Sequence, residues 1–247
     1  MLEHSFVHIQ GIGIKTEQAL WEKGILTWED YLGAEGPVLS NGRDKLVRMN
    51  IKETLENRDN IQFFADRFSS SDMWRLFDRF RGRAVYLDIE TNGGYIGMDE
   101  ITVIGLYDGN EVQTFVDGLN LEDFETAICD YDLVITFNGS SFDLPFIKRR
   151  FRNISLPCAH IDLRFFLNRL GFRGGLKAVE KEFHLARDSE INGMDGYEAI
   201  RLWRAYQHGD QASLDLLIQY NTADIVNLEP LMERGYIMMK KKILPLK

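Results

Sequence analysis

The chain has 247 residues, 45% hydrophobic and 27% charged, enough to bury one full-sized core and a smaller module; a disordered, collagenous or peptide-sized chain is excluded. Its formal net charge of -9 argues against a protein that coats nucleic acid through bulk positive field, because neutralising phosphates needs an excess of Lys and Arg. Two cysteines, Cys129 and Cys158, are too few for a disulfide framework or a cysteine-built zinc site, and no apolar run reaches the roughly 18 residues of a membrane helix, so a cytoplasmic protein is expected.

Residues 1–83 read as a helical, polar region. Ile9-Gln10-Gly11-Ile12-Gly13, followed by the apolar-periodic run Ala19, Leu20, Leu26 and Trp28 up to Leu32, predicts two short helices joined by a glycine turn. This resembles a helix-hairpin-helix element, in which backbone N–H groups around Gly11 and Gly13 would meet phosphates without reading bases. A purely structural helix pair is the competing reading.

From residue 84 to the end, 247, the texture is that of an α/β domain. Residues 85–90, with their β-branched and aromatic content, predict a strand; residues 101–107 and 111–116 predict two more, joined by the hairpin signal Asp108-Gly109-Asn110. A helix is expected from Asn120, with Asp123 as a capping-box variant, to about Cys129. Residues 133–137 form a short apolar run ending at Asn138-Gly139, a buried strand entering a turn. A helix over 142–151 and a short strand over 159–161 follow, then helices over 163–170, 176–183, 197–207 and 214–228, with Pro230 interrupting the last. Strands first, then alternation with helices, predict a sheet flanked by helices.

Charge is unevenly spread over this domain. Residues 84–134 hold twelve acids and no Lys or Arg, whereas residues 135–187 hold ten basic residues against four acids. Such a pairing suits a site that holds cations and a polyanion, although two solvated faces of opposite sign would look the same. Asp88 and Glu90 sit two apart on a strand, so both carboxylates share one face, and in the company of Tyr86, Leu87 and Ile89 they need a compensating cation. Asp143, after the loop Asn138 to Phe142, would project at the sheet's end or cap the helix it starts. Tyr220 and Asp224 lie four apart on one face of a helix. The same Tyr-x-x-x-Asp spacing recurs from Tyr95 and Tyr206, and only the Tyr220 copy sits within a continuous helix.

Asp88-Ile89-Glu90-Thr91, then Asn138 through Phe142-Asp143, then Tyr220 through Asp224, in that order, resemble the three exonuclease motifs of the DEDD superfamily, tyrosine subtype. Trp74-Arg75-Leu76-Phe77, His160-Ile161-Asp162-Leu163 and Gly175-Leu176-Lys177 resemble more particularly the YprB-type ribonuclease H-like proteins. The resemblance implies a ribonuclease H-like mixed sheet and a 3′–5′ exonuclease with two divalent metal ions, Mg²⁺ or Mn²⁺. It assigns those metals to Asp88, Glu90, Asp143 and Asp224, the orienting of water to Tyr220, and substrate contacts to Thr91, Asn138 and Phe142. Lys148, Arg149 and Arg150 are the phosphate candidates, competing with simple surface solvation. Asp162 reads as a cap for the following helix, and His160 has no second ligand at metal spacing. The expected partner is a nucleic acid strand or 3′ end, DNA favoured over RNA if the glycine turn binds duplex. A catalytically silent nucleic-acid-binding protein is the alternative, against which the full acid set and Tyr220 argue. A phosphotransferase would need a glycine-rich loop with a Lys, which Asn92-Gly93-Gly94 does not supply.

Overall fold

The computed structural model describes residues 1–93 and 99–244, apart from the Asn41 side chain; Tyr95 lies outside them. The chain divides into two compact units, Met1–Arg81 with Tyr236–Lys247, and Gly82–Gly235.

The first unit is helical: α1 (Ile14–Glu22), α2 (Trp28–Gly33), α3 (Asn41–Glu56), α4 (Ile61–Ala65) and α5 (Phe77–Phe80). Its core is aromatic, with Phe6, Trp28, Tyr31, Phe64 and Trp74 fully buried. A buried ion pair crosses it, Arg75 Nη2 to Glu17 Oε2 at 2.9 Å, and Glu17 also accepts the amides of Phe6 and Val7. Gly11 and Gly13 stand ahead of α1, after a turn segment, and the turn between α1 and α2 instead contains Gly24 at φ +83°. The expected glycine turn between two α-helices is therefore displaced by one element.

In the second unit β1 (Ala84–Thr91), β2 (Ile101–Tyr107) and β3 (Val112–Val116) run antiparallel in succession, while β4 (Leu133–Thr136) and β5 (Ala159–Asp162) add in parallel beyond β1. Among the described residues this is a mixed five-stranded sheet, order β3-β2-β1-β4-β5. The β2–β3 hairpin closes as its residues dictate: Gly109 takes φ +95°, and Asp108 Oδ1 accepts the amides of Asn110 and Glu111 at 2.8 Å each. The helices are α6 (Phe124–Ala127), α7 (Asp143–Arg150), α8 (Leu163–Asn168), α9 (Leu176–Glu182), α10 (Gly196–Gln207) and α11 (Gln211–Ile243), with α11 residues from Tyr236 on belonging to the first unit.

Period two sorts β1 between the sheet's two faces. Val85, Leu87 and Ile89 enter a core with Ile104, Leu106, Phe115, Phe124 and Ile147. The other face packs Val103 and Val116 against Trp203 of α10 and Leu214, Leu217 and Tyr220 of α11. Side chains at 88 and 90 are thereby aimed away from the first core.

Two local expectations are corrected. Asn120 stands at the head of short helical turns that begin at Leu121, as expected, but its side chain does not cap them: its Oδ1 accepts the Val116 amide at 2.8 Å and its Nδ2 donates to the Thr114 carbonyl at 3.0 Å, so it secures the end of β3. Pro230 does not end the last helix, which continues through it. A mid-helix proline costs about 3 kcal/mol. Burial of the flanking Leu228, Leu231 and Met232, at about 1.5–3 kcal/mol each, exceeds that.

Candidate active site

Asp88 and Glu90, on the same face of β1, present carboxylate oxygens that lie with one of Asp224 from α11 within 4.8 Å of one another, a group that could hold a metal ion. Glu90 and Asp224 are buried. The approach of α11 to β1 depends on Gly105, which pairs with Asp88 across β1 and β2. A Cβ at Gly105 would sit 2.1 Å from Asn221 Oδ1, so the missing side chain leaves room for Asn221, whose Nδ2 donates to Asp88 Oδ2 at 3.0 Å.

Asp143, on a third element, stands outside that group of three but is anchored to β1 beside it. It is the first residue of α7, buried, and its Oδ1 accepts the Ile89 amide at 3.1 Å, which ties the helix start to β1 between the two acids. Phe142, not Asp143, occupies the cap position of that helix.

Electrostatics follow from this crowding. Burial pushes the Asp88 carboxyl well above the ordinary aspartate range, and the charges of Asp143, Asp224 and Glu90 push it further. Glu90 is raised by burial and then by Asp224 and Asp143, with Lys177 and Arg187 opposing. Burial raises Asp143 to about 7 against the amides it accepts, and raises Asp224 to about 6 against the pull of Arg187. Carboxyls held this high by desolvation and mutual repulsion gain most from a shared cation, and hard oxygen donors suit a divalent ion. The residues present therefore fit such a metal.

Tyr220, one turn before Asp224, is buried and its phenol is pushed far above its usual range, by burial first and then by Asp224, Glu90 and Asp88. It keeps its proton at any ordinary pH, so it can donate or orient but not act as a base. Lys177 Nζ lies 4.7 Å from its ring centroid. Arg187, beyond α9, bonds Glu180 through Nε at 2.8 Å and Nη2 at 2.7 Å and pairs with Asp224. Asn221 and Arg187 carried no signal in sequence: Asn221 lies inside the Tyr220–Asp224 motif without being one of the positions that define it, and Arg187 lies one short helix beyond Lys177.

The loop before α7 is held from β5. Asn138 adopts φ 71°, and Asp162 accepts the amides of Asn138 at 2.8 Å and Ser140 at 3.1 Å, besides capping α8 through Arg164 N at 3.1 Å. The cap expected at Asp162 is present, together with this second duty. Asn138 Oδ1 accepts from Arg164 Nη1 at 2.7 Å. Phe142 is 38% exposed and packs on Phe146, and Thr91 ends β1 just past an irregularity in its pairing with β2. His160 bonds Thr136 Oγ1 at 2.9 Å. Of the basic run, Lys148 is exposed, Arg149 lies over the Phe146 ring and reaches the Asp99 carbonyl, and Arg150 pairs with Glu122. Gly11 and Gly13 are in the first unit.

Residues 85–236 match the RNase_H superfamily. Over 160 residues the chain is 26% identical to DNA polymerase 1 of Saccharolobus solfataricus, a stretch that covers 53% of this chain and 18% of that protein. The chain thus spans less than a fifth of that relative's length. The family B DNA polymerase of Pyrobaculum calidifontis superposes with a TM-score of 0.50 at 18% identity, over 61% of this chain and 24% of that one. Escherichia coli RNase D, an exoribonuclease involved in structured RNA processing, gives 0.47 at 20% identity, over 68% and 43%. The likeness to solved structures is one of fold.

Proposed function

We propose a nuclease function from one premise: the chain belongs to the RNase_H superfamily. The reading is a metal-dependent 3′–5′ exonuclease acting on nucleic acid, DNA favoured. The observation that carries it is the convergence of Asp88, Glu90 and Asp224 from two elements onto one cation-sized volume, with Asp143 anchored beside them.

Two bound Mg²⁺ or Mn²⁺ ions would supply an activated water and charge neutralisation at the scissile phosphate and the departing 3′ oxygen. The four carboxylates would hold them. Asn221 fixes the orientation of Asp88, and the Ile89 amide that of Asp143, so neither ligand must reorganise on binding. Tyr220, kept protonated, orients the attacking water by hydrogen bonding. Thr91, Asn138 and Phe142 would contact the strand, Phe142 by offering an exposed ring for stacking. Lys148, Arg149 and Arg150 are the proposed backbone contacts, and Gly11 and Gly13 a further one in the N-terminal unit.

End-labelled single-stranded DNA and RNA, incubated with Mg²⁺, Mn²⁺ or a chelator, test the reading. We expect a ladder that shortens from the 3′ end only with metal, and none from Asp88→Ala. Cleavage that persists in chelator, or wild-type rates from the variant, would remove it.

A further inference from the structure

Beside the acids, on the side of α9 and the segment after it, the second unit has a cavity of about 420 Å³. Its lining is basic: Lys177, Lys181, His184 and Arg187 contribute, and its acid, Glu180, is already bonded by Arg187 and by Asn227 Nδ2. Two cationic donors on residues of this lining lack a hydrogen-bond acceptor among the described residues, Lys177 Nζ meeting the face of the Tyr220 ring instead. Lys177 Nζ and Arg187 Nη1 are both buried with no hydrogen-bond partner among the described residues, although the Arg187 side chain is only 5% exposed. Balancing the charges of Glu180 and Asp224 explains the Nε and Nη2 atoms of Arg187, which hydrogen-bond Glu180 and ion-pair with Asp224, but not the bare Nη1. Each buried donor left bare costs about 1–3 kcal/mol, a cost an acceptor in the cavity would remove.

Resting on the nuclease reading, we infer that this cavity is a subsite for a phosphodiester of the bound strand, next to the bond being cut, with Lys177 Nζ and Arg187 Nη1 as its donors. A tetrahedral oxyanion matches the chemistry, since it accepts several charge-assisted hydrogen bonds at once and Arg offers a second nitrogen while the first holds an acid. The arrangement also gives Arg187 two tasks. One edge fixes Asp224, a proposed metal ligand, and the other meets substrate, so strand engagement and the orientation of Asp224 are joined through a single guanidinium.

Affinity for a short fluorescein-labelled single-stranded DNA, read by anisotropy across a salt series, tests this in the Asp88→Ala background, where cleavage cannot interfere. Lys177→Met keeps the apolar stem and removes the donor; affinity should fall about tenfold, with a melting temperature no lower than the parent's, since an unsatisfied donor is removed. The slope of log affinity against log salt should shrink by about 0.7, the share of one single-strand phosphate contact. Arg187→Lys, which keeps a cation beside Glu180 but not two nitrogens, should also weaken binding. An unchanged affinity and slope for Lys177→Met, with the parent binding well, would overturn the subsite and leave the nuclease reading standing. A melting temperature that falls while the slope stays constant would do the same, by assigning Lys177 a structural role. Millimolar inorganic phosphate separates the sources: we expect it to leave the strand bound, and displacement would mean the cavity takes free phosphate instead. Wild-type protein that neither binds nor cuts any strand would sink both readings together.

Discussion

Asp224 lies at the point where opposed demands on a side chain meet. It lies beside Asp88 and Glu90; burial raises its pKa to about 6, and its pairing with Arg187 restrains that rise. Replacing it by alanine removes a proposed ligand and also leaves the Arg187 guanidinium facing Glu180 alone. We expect Asp224→Ala to fold, by circular dichroism, and to show no metal-dependent cleavage; turnover at the wild-type rate would show the carboxylate to be a bystander. Tyr220→Phe is a milder change, since the ring and its packing stay and only the hydroxyl goes. It should retain measurable cleavage, reduced by up to about 100-fold, the usual cost of a misplaced reactant. A complete loss would assign the phenol a larger role than orienting water. At this scale the acids were legible because a strand's period and a helix's period state which side chains share a face. Asn221 and Arg187 were not, because what recruits them is the tertiary approach of α11 and of the segment after α9, and no local pattern encodes that.

The approach of α11 to the sheet is set by a glycine. Gly105 stands opposite Asp88 in the β1–β2 ladder, and Asn221 and Ile225 of α11 fill the space a Cβ would take. Gly105→Ala would force the helix outward or Asn221 aside. Either movement frees Asp88 from its hydrogen bond, so we expect overpacking to cost about 1–3 kcal/mol in a urea titration, together with weaker Mn²⁺ binding by calorimetry. Loss of stability without loss of affinity would mean that Asn221 does not orient Asp88. The loop ahead of α7 depends in the same way on Asp162, whose carboxylate accepts the amides of Asn138, Ser140 and Arg164. Asp162→Ala leaves those donors unmatched and should raise KM for the strand more than it lowers kcat. Equal effects on both, measured by steady-state kinetics, would place Asp162 in the chemistry. Strands were read well from β-branched runs and the Asp108-Gly109 turn, which act locally. Asn120 misled because its side chain is taken up by the end of the strand just before it, and Pro230 because burial of its neighbours outweighs its backbone preference.

Across the whole molecule, the buried acids make stability depend on pH in an unusual direction. A carboxyl whose folded pKa lies above its ordinary value of 3.8 binds more protons when folded than when unfolded within that interval. Stability therefore falls as pH rises through it. For Asp143, at about 7, and Asp224, at about 6, the interval runs from about pH 4 to about pH 7. His8 works the other way. Buried among Trp28, Phe64 and Phe68, it is held at about 3 by burial and then by Arg67 and Arg75, so its contribution is full above the ordinary histidine value of 6.5 and is lost as pH falls toward 3. The total profile mixes both signs, but His8 is the same with and without metal. The difference between chelated and Mn²⁺-loaded protein isolates the acids, because the cation needs them ionised and relieves their repulsion. We expect Mn²⁺ to raise the melting temperature more at pH 8 than at pH 5, and to release protons on binding at pH 6. Asp143→Asn, which removes a carboxyl raised to about 7, should flatten that difference. An increment that is the same at both pH values would mean that the carboxylates are already ionised without metal, and that their crowding is not what recruits it.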